Sequence, residues 1–130
     1  MRKGICVHLA GANAMETAHA LVLRLMEMGY RAELVDATAV KRLGGPKAAA
    51  YACSLLIRNG VIAVVTAPRL KPDGERLDIE VSPHDTPDFA AEKVVDELAA
   101  VGVVRLASVD YTPEEEDQIR KRLVDLGYIE

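Results

Sequence analysis

The run Val61-Ile62-Ala63-Val64-Val65-Thr66 constrains this chain more than any other part of it. It is mostly β-branched, and polar and apolar residues do not alternate along it. Such a strand has both faces covered. That situation is met in the middle of a parallel sheet with a helix layer on each side. The rest of the chain must therefore supply helices and neighbouring strands.

It does so in an alternating order. Ile5-Cys6-Val7-His8-Leu9-Ala10 reads as a first buried strand, ending at Gly11. Asn13 stands where it can cap the next helix, with Glu16 three residues on as the partner of a capping box. Ala14, Thr17, Ala18, Leu21, Leu25 and Met28 recur at helical spacing, and Gly29 ends the helix. Ala32 to Val35 makes a second strand ending at Asp36. A short helix is expected over Thr38–Leu43, stopped by Gly44-Gly45. Pro46 opens a further helix that runs to about Arg58 and stops at Asn59-Gly60. Leu77-Asp78-Ile79-Glu80-Val81 alternates and reads as a fourth strand near an edge. Thr86 or Asp88 starts a helix that runs to Val101 and closes at Gly102. Residues 103–109 read as extended. Thr112 and Pro113 open a last helix with Glu114 to Glu116 in its first turn, which suits the helix dipole. Strands alternating with helices give a three-layer α/β fold. The link from Thr66 to Leu77 is short for a crossover helix. If it is a plain extended return, the fourth strand is parallel beside the first. If Pro72-Asp73-Gly74 makes a hairpin, it is antiparallel beside the third.

The totals exclude several functions. The chain has 130 residues, which suits one domain, with a boundary expected near residue 107 between a domain 1–106 and a tail 107–130. The net charge is −4 and aromatics are few, so no nucleic-acid partner is expected. The apolar runs are too short to span a bilayer, so no membrane role is expected. Cys6 and Cys53 form neither a disulfide framework nor a metal-ligand spacing, which suits buried thiols in the cytoplasm. Cys6 and His8 share a strand face, but two residues make no complete metal site. His19 and His84 read as solvent-facing.

A resemblance now becomes visible. Gly4 to Gly11, Ala20-Leu21, Leu25 to Arg31, Leu34-Val35-Asp36, Asn59 to Val65, Ala67-Pro68-Arg69 and Glu92 to Leu98 stand in an order and spacing that resemble the adenylylsulfate (APS) kinases. Those enzymes use ATP to phosphorylate the 3′-hydroxyl of adenosine 5′-phosphosulfate. The resemblance covers most of residues 4–102. It implies a P-loop-kinase-like fold whose four-stranded, mainly parallel sheet has the order 2-3-1-4.

The departures from the family fall on its catalytic parts. Its first loop is GxxxxGK[ST], in which backbone N–H groups cradle phosphates and the lysine balances their charge. Here the loop reads Gly11-Ala12-Asn13-Ala14-Met15-Glu16-Thr17. If Thr17 matches the hydroxyl residue, Met15 takes the glycine position and Glu16 the lysine position. No Lys or Arg lies between Lys3 and Arg24. Of the family's Asp-Gly-Asp-Asn motif only Asp36 remains, and Lys41 stands where the family has an arginine. The substrate-side motif Ser-Pro-Tyr-Arg is reduced to Ala67-Pro68-Arg69, and the lid segment that should follow is missing.

The resemblance thus implies Asp36 as the candidate catalytic carboxylate. It implies Gly11, Asn13, Thr17, Lys41 and Arg69 as candidate nucleotide or anion binders, with ATP–Mg or adenosine 5′-phosphosulfate as ligand and no metal site of the chain's own. The plain alternative for Asp36 is a helix cap, and for the cations an ordinary exposed loop. Three functions compete. One is a catalytically inactive relative that keeps nucleotide or sulfonucleotide binding for regulation of sulfate activation. Another is an interaction module, as a homodimer or docking a protein partner through the helix 112–126. The third is an active kinase with a non-standard loop. The segment from Tyr111 to Ile129 also resembles a tail found on otherwise unrelated bacterial enzymes, which implies a shared docking partner. Its plain alternative is an amphipathic helix packed on its own domain.

Overall fold

The computed structural model describes residues 3–68 and 70–105, with helical residues 117, 118, 120–122 and 124. The expected opening of the last helix at Thr112 lies outside the described residues, as do residues 106–109 of the expected extended segment. The elements run β1 (Ile5–Gly11), α1 (Ala14–Glu27), β2 (Ala32–Val35), α2 (Ala37–Arg42), α3 (Pro46–Arg58), β3 (Ile62–Val65), β4 (Arg76–Val81) and α4 (Pro87–Ala100). They form a four-stranded sheet of order β2-β3-β1-β4 in which every pairing is parallel.

The strand pattern divides the core in two. On β1, Ile5, Val7 and Leu9 face one side and Cys6 the other; on β3, Ile62 and Val64 oppose Ala63 and Val65. The first set packs under α1 and α4, against Leu21, Leu25, Val94, Val95 and Leu98. The second set packs under α3, with Cys53 and Ala49. All four residues of β3 are buried, as a run without alternation requires. β4 is the alternating edge strand. Its Leu77, Ile79 and Val81 join the α1–α4 side, while Arg76, Asp78 and Glu80 are exposed.

The doubtful link is an extended return, and β4 lies parallel beside β1. Residues 66–75 can reach roughly 33 Å. The path goes down a four-residue strand and roughly 10 Å sideways over β1, so no helix is needed. Four contacts fix it. Leu70 is 2 % exposed. The Asp73 amide donates to Ser54 Oγ at 2.9 Å, and Ser54 Oγ donates to the Ala50 carbonyl at 2.9 Å. His8 donates Nε2–H to the Ala67 carbonyl at 3.1 Å. The Cys6 amide donates to the Glu75 carbonyl at 2.9 Å, which starts the β1–β4 ladder.

One expected device is absent. Asn13 is the N-cap residue of α1, but its side chain makes no cap hydrogen bond. Its backbone sits at φ −114°, ψ 29°, away from the extended conformation that aims a cap side chain at the first amides. Thr86 does cap α4, accepting from the Phe89 amide at 3.2 Å, with Pro87 at the first helical position.

Candidate functional site

The loops leaving the carboxyl ends of β1, β2 and β3 surround an open cleft of ≈ 510 Å³. In open α/β sheets ligands bind at this edge, where neighbouring connections leave toward opposite faces. Here β1 leads to α1 on one face, and β3 leads to the extended return on the other. The cleft is lined by Gly11, Ala12, Ala14, Met15, Glu16, Asp36, Ala37, Thr38 and Thr66.

Each wall has a local cause. Gly11 adopts φ 114°, and a Cβ there would lie 2.5 Å from the Val81 carbonyl oxygen. The close passage of β4 therefore requires the glycine before any ligand is considered. Met15 in the first turn of α1 meets the end of β3, where Thr66 Oγ1 donates to Met15 Sδ at 3.2 Å. Asp36 follows β2 and caps α2, its Oδ1 accepting from the Ala39 amide at 2.8 Å. Glu16 lies in the first turn of α1, where the dipole favours it.

Of the residues singled out from sequence, Gly11 and Asp36 come together in this cleft. Asn13 and Thr17 are not among its lining residues. Thr17 is fully buried, and its hydroxyl has no hydrogen-bond partner among the described residues. Lys41 is exposed in the last turn of α2, outside the cleft lining. Arg69 lies outside the described residues. Met15 and Glu16, which take the glycine and lysine positions of the loop, line the cleft too, and so do Thr38 and Thr66, which the sequence reading does not single out. The position of Thr66 directly after a central strand was the one signal for it.

The electrostatics are acidic. Glu16 and Asp36 line the cleft, and no Lys or Arg does among the described residues. No three His, Cys, Asp or Glu of the described residues gather closely enough to hold a metal ion. Cys6 and Cys53 lie away from the cleft in the α3-side core. Burial, and then the neighbouring Cys53, push the Cys6 thiol up to about 11; burial also raises Cys53. His8 serves the extended return, and His19 and His84 are exposed.

Similar folds have been solved. The hexameric APS kinase from Thiobacillus denitrificans matches 81 % of this chain at 23 % identity, with a TM-score of 0.60. The fold is that of an APS kinase. The APS kinase CysC of Mycobacterium tuberculosis matches 75 % of this chain and 99 % of its own at 14 % identity, TM-score 0.56. The crystal structure of APE1195 matches 87 % of this chain and 82 % of its own at 22 % identity, TM-score 0.51. This chain spans 31 % of the T. denitrificans protein. No protein-family model and no curated protein matches it in sequence. No helix of the described residues is long and apolar enough to cross a membrane.

Proposed function

We propose that this chain is a non-phosphorylating protein of the APS-kinase fold that holds a nucleotide or sulfonucleotide at its carboxyl-edge cleft and acts in regulating sulfate activation. The observation that carries the loss of activity is the charge of the cleft. Phosphoryl transfer depends on positioning and on neutralising the transferred group. Here the phosphate-side loop contributes Glu16, and Asp36 faces the same space. A helix N-terminus offers roughly half a positive charge, and Glu16 already occupies that field.

Retained binding is supported by the volume of the cleft, which lies in the range of small-ligand sites, and by its place at the switch of strand order. Gly11 and Asp36 stand at the cleft in this reading. Asn13, Thr17 and Lys41 belong to its surroundings, and the resemblance assigns the cation of the substrate side to Arg69. Calorimetric titration tests the reading, with ATP–Mg and separately with adenosine 5′-phosphosulfate. Expected is sulfonucleotide binding weakened by Arg69→Ala, with no turnover in a coupled kinase assay. Absence of heat with both ligands would overturn the binding, and phosphorylated product would overturn the inactivity.

The exposure of the described residues of the last helix favours a second reading, an interaction module docking through residues 112–126 or assembling with its own copies. Asp117, Gln118, Arg120, Lys121 and Arg122 are exposed, as is the apolar Val124 at 45 %. The similar T. denitrificans protein is hexameric. Deleting residues 107–130 removes partner capture in this reading and leaves cleft binding unchanged.

A further inference from the structure

Charge is distributed unevenly along the chain. Residues 37–72 contain Lys41, Arg42, Lys47, Arg58, Arg69 and Lys71 and not one Asp or Glu. Residues 82–100 contain Asp85, Asp88, Glu92, Asp96 and Glu97 against Lys93 alone. The fold sorts these stretches onto opposite faces of the sheet, α2 and α3 on one and α4 on the other.

Each helix also exposes apolar surface among its charges. On α3, Lys47, Tyr51, Leu55 and Arg58 follow at i, i+4, i+8 and i+11, within about 80° of one another around the helix. All four are exposed, Tyr51 at 64 % and Leu55 at 38 %. The stripe is therefore an apolar centre with a cation at each end, about 16 Å apart. On α4, Phe89, Glu92 and Asp96 share a stripe about 60° wide. Phe89 is 54 % exposed, and Glu92, Asp96 and Glu97 are exposed with it. Two cations already serve this face: Arg24 of α1 pairs with Glu92 at 2.7 Å, and Lys93 is held by Asp85 at 3.0 Å and lies 4.6 Å over the Phe89 ring, which leaves Asp96 and Glu97 as the carboxylates offered to a second copy.

Like does not pair with like here. Two α3 faces set Lys47 and Arg58 against cations, and two α4 faces set carboxylates together. We propose that the α3 stripe of one copy docks on the α4 stripe of a second copy. Tyr51 and Leu55 meet Phe89, and Lys47 and Arg58 meet the acidic groups of α4. This joins unlike surfaces, so the contact is head-to-tail and leaves one open face at each end. The assembly grows with concentration until a ring closes, and salt weakens it. It goes beyond the cleft reading and does not depend on it.

Sedimentation velocity of the full chain against concentration, at low and at high salt, tests the contact. The double variants Lys47→Glu with Arg58→Glu, and Asp96→Lys with Glu97→Lys, change exposed positions only, and circular dichroism verifies their fold. Each should weaken association at least about tenfold. The two variants mixed should associate again and alternate along the assembly, because their intact faces match each other and their reversed faces are opposite in charge as well. Three results each overturn the proposal. They are a wild-type chain that stays monomeric at its highest soluble concentration, reversals that leave association unchanged, and a mixture that stays monomeric.

Discussion

The two faces of the sheet are covered by different means. Under α1 and α4 the core is mostly bulky, with Leu9, Leu21, Leu25, Val94, Val95 and Leu98 beside the smaller Ala18, Ala90 and Ala91. Under α3 and the extended return most are short, Cys6, Ala49, Cys53, Ala63 and Ala67, beside Val35, Val65 and Leu70. Short side chains let backbone approach backbone. A Cβ on Gly4 would collide with the Ile57 carbonyl group on the α3 side. The first face is thus held by bulk. The second is held by close packing and by hydrogen bonds that tie an extended segment in place of a crossover helix. The cleft lies at the end of both.

The largest expected effect tests the bulk. Leu98 is fully buried between α4 and the sheet, so Leu98→Ala should cost about 2–5 kcal/mol by urea denaturation. On the other face the sensitive change is the opposite one. Ala49 is fully buried as well, and Ala49→Leu should cost about 1–3 kcal/mol through overpacking. A tolerated Ala49→Leu would mean that the α3 side has room, and the contrast between the faces would fail.

The next effect belongs to the α3 side alone. The Cys6 thiol is raised from its ordinary 9.0 to about 11, first by burial and then by Cys53. The folded protein therefore keeps a proton that the unfolded chain loses between those values. Stability should be unaffected by this group below pH 9 and should fall as pH rises toward 11, by up to about 2–3 kcal/mol. Cys6→Ala should flatten that alkaline slope. An equal slope in the variant would place its origin elsewhere.

The sequence made one face far more legible than the other. The mostly β-branched run at Val61 to Thr66 marks the central strand, and helical spacing from Ala14 to Met28 marks α1, because both signals are local. The parallel order 2-3-1-4 came from the resemblance and is what the sheet shows. The orientation of β4 stayed open because it depends on Ser54 and His8, which lie 19 and 59 residues from the atoms they bond in the return. The cleft was legible at Gly11 and Asp36, which end strands. Met15 and Thr66 were not, since their contact joins residues 51 apart. The capping box at Asn13 had the right letters and failed on backbone angle, which residue types alone do not specify.

Those long-range bonds supply a smaller test. Ser54→Ala removes the acceptor of the Asp73 amide and should cost about 1 kcal/mol. Hydrogen exchange should locate the loss. The Asp73 amide and its neighbours in the return should exchange faster, while amides of α4 should keep their protection. Uniform acceleration over both faces would show that the return is no separate unit.

The smallest effect separates two properties of one residue at the cleft. Asp36 caps α2 through the Ala39 amide and also places a carboxylate in the cleft. Asp36→Ala loses both and should cost about 1 kcal/mol. Asp36→Asn keeps an oxygen that accepts the same amide, and Asn ranks with Asp as a cap, so stability should hardly change. Only the charge leaves the cleft. If carboxylates there oppose an anionic ligand, Asp36→Asn should bind adenosine 5′-phosphosulfate more tightly than the wild-type chain, and adding Glu16→Gln should tighten it again. Weaker binding in Asp36→Asn would instead mean that the carboxylate itself contacts the ligand, through a hydroxyl or a bound cation, and the acidic cleft would then be a recognition surface and not a remnant.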